Sequence, residues 1–137
     1  MTTETLTPCK QAEIRDNLDG FTGTEQYHRS GFVKVTDGIA YMAEKCGAWW
    51  LVDIVGNYQA SPELKAEEFR EFQLWRVEHA DAVMFDDKTI PAHWVVTCRA
   101  DSDREPVIKQ IIEYSDFPLD VFEFYCIGGI VLLKSEY

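Results

Sequence analysis

Asp53 is the residue whose surroundings suit it least, a single acid set in the run WLVDIV at 50–55. A carboxylate among such neighbours either finds a partner or titrates upward. Two readings follow: an acid working in a site, or a structural acid, either on the helix surface or capping a neighbouring backbone. The other chemistry-bearing residues are scattered. His28, His79 and His93 show no HxxxH or HxH spacing, so no local zinc motif is written and no metal is expected. Cys9, Cys46, Cys98 and Cys126 form no CxxC pair and read as free thiols, mostly buried. Ser115 and Ser135 lack the GxSxG elbow, and no cysteine has a histidine beside it, so only tertiary proximity could couple Cys98 with His93 or His28. The glycines of GFTGT suggest a phosphate loop, yet no Gly-Lys-Ser/Thr follows; a turn is the expectation.

The elements that must position these residues are organised around 36–59, TDGIAYMAEKCGAWWLVDIVGNYQ. Asp37 reads as an N-cap. Ile39, Met42, Ala43 and Cys46 recur at helical spacing, and Gly47 suits the left-handed residue that ends the helix. Leu51, Ile54, Val55 and Tyr58 make a second apolar stripe. Trp49 and Trp50 cannot share one face. Before this centre, residues 1–10 read as flexible, 11–18 as a short helix with Ile14 and Leu18 inward, and 32–35 as a brief strand or lead-in. After it, Ser61-Pro62 starts a short helix. Residues 72–79 alternate, with Gln73, Trp75, Val77 and His79 on one side of a strand and Phe72, Leu74, Arg76 and Glu78 on the other. Residues 82–85 continue or pair with that strand, Asp86-Asp87-Lys88 is a turn, and 93–99 and 107–114 are further strands. Gly128-Gly129 then joins 121–127 to 130–136 in a hairpin whose register sets Glu123 opposite Lys134 and Phe124 opposite Leu133. The fold class is α+β: one domain over 1–137, an antiparallel sheet of about four to six strands, and helices of the N-terminal half on one face.

Composition narrows the function classes. With 137 residues and 46% hydrophobic content the chain can bury one core. A net charge of −11 argues against direct nucleic-acid binding, since phosphate demands a basic footprint, and against anionic membranes. It permits a basic partner or plain solubility. No signal pattern and no bilayer-length apolar run appears, so the expected location is cytoplasmic.

The segments FTGTEQY, TDGIAYMAEKCGAWWLVD, EFQLWRV, SDFPL and the final SEY, in that order, resemble a family of small bacterial proteins of unknown function found on chromosomes, plasmids and phages. The departures are Ser115 where the family has threonine, Lys134 where it has proline, and a longer segment around Pro91. The resemblance implies that Asp37, Gly38, Tyr41, Glu44, Trp50, Asp53, Gln73, Trp75 and Asp116 occupy signature positions, and it implies no reaction. Tyr41 and Glu44 share a helical face. If Asp53 and Gln73 converge there with Trp50 and Trp75, the result is an aromatic-walled pocket with two carboxylates, able to act as acid and base or to hold a hard cation. The plainer reading has both tryptophans in the core, Glu44 solvated and Gln73 serving a backbone group.

Two functions from different classes remain. The first is a non-enzymatic acidic module that binds a protein partner through Asp37, Tyr41, Trp50, Gln73, Trp75 and Asp116, with no cofactor. In its finer form it is a mobile-element inhibitor or regulator of a host nucleic-acid-handling or defence protein, its acids imitating a polyanion. That reading gains if the acids cluster on one face. The second is a small enzyme using Asp53 with Glu44 or His28, which gains from a concave pocket and loses if Asp53 stands exposed and alone. A homodimer could form through Trp49 or the hairpin edge.

Overall fold

The computed structural model describes residues 8–113, 115 and 117–137. Residues 8–10 are already helical, contrary to the expected flexible lead-in: α1 runs Pro8–Asp19, starting on a proline whose missing N–H costs nothing at a first helical position. Its Ile14 and Leu18 are buried as their spacing requires. Two short antiparallel strands follow, β1 (His28–Ser30) and β2 (Val33–Val35).

Helix α2 (Asp37–Cys46) buries Ile39, Met42, Ala43 and Cys46 and stops at Gly47, whose φ of 60° only glycine adopts freely. Its cap corrects the sequence reading. Thr36 is the N-cap, its Oγ1 accepting from the Ile39 amide at 3.4 Å, and Asp37 is the first helical residue. Helix α3 (Trp49–Tyr58) buries Leu51, Val52 and Val55, with Ile54 and Tyr58 partly covered. A 3-10 turn at Pro62–Leu64 leads to the short α4 (Glu67–Glu71).

The remaining strands are β3 (Gln73–Ala80), β4 (Val83–Phe85), β5 (Lys88–Ile90), β6 (His93–Arg99), β7 (Ile108–Ile112), β8 (Val121–Ile127) and β9 (Ile130–Leu133). They correct the expected pairing of 82–85. Strand β4 pairs with β5, in a separate hairpin turned by Asp86 and Asp87 at φ of 52° and 61°, the primed geometry that suits strand twist. The main sheet has seven strands in the order β1-β2-β9-β8-β3-β6-β7, more than expected because β1 and β2 join it. All its neighbours are antiparallel except β2 and β9, which run parallel. The reversal lengths of the second half place no restraint on that pair, since one strand comes from each end of the chain. Both deliver their last residues to the start of α2. The hairpin register holds, with Phe124 opposite Leu133 and Lys134 Nζ 2.7 Å from Glu123 Oε1.

Strand alternation gives the sheet two unlike sides. On one, Trp75 stands between Cys98 and Phe124, and Val77 between Val96 and Phe122, all buried. That side carries α2 and α3, with Tyr58 6.2 Å from Trp75 between ring centroids, and the buried Phe117 and Leu119. The other side carries Leu74, Arg76 and Glu78 of β3 and their cross-strand neighbours.

Candidate functional site

The structure separates the residues that the sequence gathered into one pocket. Gln73 and Trp75 belong to a closed knot in the core. Gln59 and Gln73 exchange side-chain amide hydrogen bonds at 2.8 and 2.9 Å, Gln73 also donates to the Phe69 carbonyl at 3.0 Å, and the Trp75 indole donates to Gln73 Oε1 at 2.9 Å. These bonds satisfy the buried amide of Gln73 and the indole N–H together, which is the task such groups must complete once water is gone. Trp50 lies elsewhere, edge-on to Phe117 at 6.2 Å. Glu44 is exposed and accepts from the Trp49 indole at 3.1 Å. Asp53 is exposed on α3 and enters no hydrogen bond or ion pair among the described residues. The aromatic-walled pocket with paired carboxylates is therefore not assembled, and Asp53 takes the helix-surface alternative. Asp116 lies outside the described residues.

His28 and Asp37 do meet at the start of α2, with Tyr41 one turn further along that helix. His28 Nε2 is 2.8 Å from Asp37 Oδ1, while Asp37 Oδ2 accepts from the Glu25 amide at 3.0 Å. The His28 hydrogen bond first, and the Glu25 amide next, hold the Asp37 carboxyl below the usual carboxylate range. Thr24 Oγ1 accepts from the Asp37 amide at 2.9 Å, and Tyr41 accepts from Asn17 at 2.9 Å with Phe21 5.5 Å from its ring. Beside them lies an open hollow lined by Phe21, Thr22, Gly23, Thr24, Glu25 and Asp37. Glu136, from the far end of the chain, completes the helix start. Its carboxylate accepts from the Thr36 hydroxyl and from the amides of Gly38 at 3.2 Å and Leu133 at 3.0 Å, a negative charge placed on the positive end of α2. A Cβ at position 38 would sit 2.6 Å from Glu136 Oε1 and closer still to Leu133 Cδ1, so those side chains would have to shift and the Glu136 contact would be disturbed.

Cys46, Cys98 and Cys126 are buried and offer no nucleophile, and the side chain of Cys9 lies outside the described residues. Burial pushes Cys46, Cys98 and Cys126 up to about 12. Cys98 is enclosed under the sheet, whereas His28 is engaged with Asp37 and His93 Nδ1 lies 3.0 Å from the Pro91 carbonyl oxygen.

The side of the sheet away from the helices was legible only in part: the alternation of 72–79 puts Leu74, Arg76 and Glu78 there, and the hairpin register puts Glu123 beside Lys134. Its residues form cross-strand rows. One row runs Arg29, Lys34, Ile130, Ile127; the next runs Leu132, Tyr125, Leu74, Arg99; the third runs Lys134, Glu123, Arg76, Thr97, Lys109. Phe72 and Tyr137 pack on Tyr125 at 4.7 and 5.5 Å, and Tyr137 remains 79% exposed. Tyr27 joins Ile127, Ile130 and Leu132 around a shallow groove. In the third row Glu123 takes both Arg76, 2.6 Å from its Oε2, and Lys134. Partial burial pushes the Glu123 carboxyl up, but Lys134 and Arg76 outweigh it and hold the group below its ordinary value. What the sequence did not reveal is that Arg29, Lys34, Arg99 and Lys109 join this side.

Fold and surface together define a small α+β protein with one mostly antiparallel seven-stranded sheet, helices on one side and a mixed apolar and charged opposite face. The chain belongs to a family of unknown function, DUF6876, whose sequence profile matches residues 12–137. No curated protein and no solved structure matches it. Among the described residues no helix is long and apolar enough to cross a membrane.

Proposed function

We propose that the chain is a protein-binding module whose working surface is the sheet face away from the helices. The observation that supports this is the continuous apolar strip of Tyr27, Ile130, Ile127, Leu132, Tyr125 and Tyr137, which stays partly or fully open to solvent. Aromatic and aliphatic side chains on a rigid sheet, ringed by charge, have the composition of an interface centre and rim. The acids do not supply a comparable surface. Asp16 and Asp19 lie on α1, Glu44 on α2, Asp53 on α3, Glu67, Glu68 and Glu71 on α4, and Asp86 and Asp87 on the β4–β5 turn. Spread in this way, they favour solubility over polyanion mimicry. The finer form, a mobile-element regulator of a host defence or nucleic-acid-handling protein, is part of the same proposal and has only the sequence resemblance behind it.

A second reading keeps one observation. The short His28–Asp37 contact beside an open hollow is an arrangement that orients an imidazole for acid–base work. One capture experiment separates the two. Tagged wild type, Leu132→Asp and His28→Ala are used to recover partners from lysate of the source organism. A stoichiometric partner kept by His28→Ala and lost by folded Leu132→Asp is the expected result. A partner held equally by Leu132→Asp removes the sheet face from consideration.

A further inference from the structure

We propose that the partner's contacting element is an amphipathic acidic helix lying across the strands. This rests on the reading of the sheet face as the working surface and gives that surface its chemistry. The chain carries 24 acids and 13 bases, yet the strands of this face present Arg29, Lys34, Arg76, Arg99 and Lys109, joined by Lys134, against only Glu78 and Glu123. Glu113, exposed just past β7, is a further acid at the rim. Arg76 and Lys134 are both committed to Glu123. Arg29, Lys34, Arg99 and Lys109 enter no ion pair among the described residues. Arg99 is half-buried, donates only to the Thr97 hydroxyl at 3.3 Å, and its Nε is shielded from solvent without a partner. On this face bases outnumber acids, the reverse of the balance in the chain as a whole. The remaining N–H groups of a half-buried guanidinium can take an incoming carboxylate.

Placement decides the partner's class. The unpaired cations stand at the two ends of the rows, on β1 and β2 at one side and on β6 and β7 at the other, with Ile127, Ile130, Leu132 and Tyr125 between them. Lys34 on β2 and Arg99 on β6 are four strand spacings apart, roughly 19 Å. A helix rising 1.5 Å per residue covers that in about 13 residues, so acids near both ends of a short apolar helix reach both rims. Single-stranded nucleic acid fits less well: Tyr27 and Tyr137 offer stacking planes, but the net charge of −11 opposes a phosphate chain.

The test uses the full chain as bait for a displayed library of random peptides about 16 residues long, long enough to lay that helix across the rows. The same selection is run on Lys34→Glu/Lys109→Glu and on Leu132→Asp, each shown to be folded by circular dichroism. An oligothymidylate of about 20 nucleotides, longer than one stacking site, serves as competitor. Enriched peptides should combine an apolar stripe with an acid excess at both ends. Their affinity should fall at least tenfold on Lys34→Glu/Lys109→Glu, weaken with added salt, and vanish on Leu132→Asp. Peptides that need Leu132 but show no acid excess and ignore the charge reversal overturn the inference and leave the binding face standing. Peptides indifferent to Leu132→Asp overturn both. Displacement by the oligothymidylate at lower concentration than by the peptide itself, or no enrichment at all, also overturns it.

Discussion

Strand β3 holds two kinds of polar chemistry on its two sides. Toward the helices, the polar group of β3 is the neutral amide of Gln73, locked to Gln59 and the Trp75 indole. Toward the open side it is Arg76, ion-paired with Glu123, which Lys134 shares. The difference follows from desolvation. A full charge under α3 would pay several kcal/mol for leaving water, whereas reciprocal amide bonds leave little unsatisfied. The Arg76–Glu123–Lys134 set keeps part of each side chain wet, at 28% and 22% exposure for Arg76 and Glu123, and tolerates its charge. The covered side is thus built for stability, and the open side spends little of it. That makes the open side the one free to carry function.

The division is tested most severely by Trp75→Ala. Trp75 is fully buried and touches Tyr58 across the helix layer. Its loss should lower unfolding free energy by about 3–5 kcal/mol in urea denaturation, a large share of a small domain's total. A loss under 1 kcal/mol would mean the covered side is not the stabilising one. Next is Gln73→Leu, which keeps the volume but leaves the Trp75 indole N–H and one Gln59 amide unpaired. The expected cost is about 1–3 kcal/mol, with coupling to Gln59→Leu in a double-mutant cycle. Additive single costs would show that the knot is not one unit.

The ionic side is tested by pH. Because the Glu123 carboxyl is held below its ordinary value, it adds stability above the ordinary carboxylate range and loses it as pH falls through the depressed value. The stability gap between wild type and Glu123→Gln should therefore be constant from neutral pH to about pH 5 and close progressively below about pH 4. A gap that persists unchanged at pH 2–3 would assign the effect of Glu123 to packing rather than charge.

This asymmetry also explains what the sequence disclosed. The α+β class, the α2 stripe with its stop at Gly47 and the Gly128-Gly129 hairpin were legible because each depends on neighbours within a few residues. The N-cap was misplaced by one residue, since what favours Thr36 as cap is Glu136, contributed from the far end of the chain. The Gln59–Gln73 pair and the parallel β2–β9 contact were hidden for the same reason. Asp53 looked anomalous only because its neighbours in sequence are apolar; on α3 those neighbours turn inward while Asp53 turns out. The cationic face escaped notice because its members come from five strands and the turn after β9, and each is an ordinary surface residue in its own segment. Net charge, a sum over the whole molecule, concealed a local excess of the opposite sign.

The smallest expected effect sharpens the comparison furthest. Ile111 lies on β7, on the open side, opposite Val95 and 55% exposed. Replacing it by threonine keeps the branched shape that strands favour and removes little buried surface, so stability should move by no more than about 0.5 kcal/mol. Thermal and urea unfolding measure this directly. A β-branched apolar residue left this open on a sheet edge is a poor contributor to folding and a good one to contact. If Ile111→Thr instead costs 2 kcal/mol or more, as a core truncation would, the open side is covered in solution by the chain itself. The two sides of the sheet would then no longer divide stability from binding.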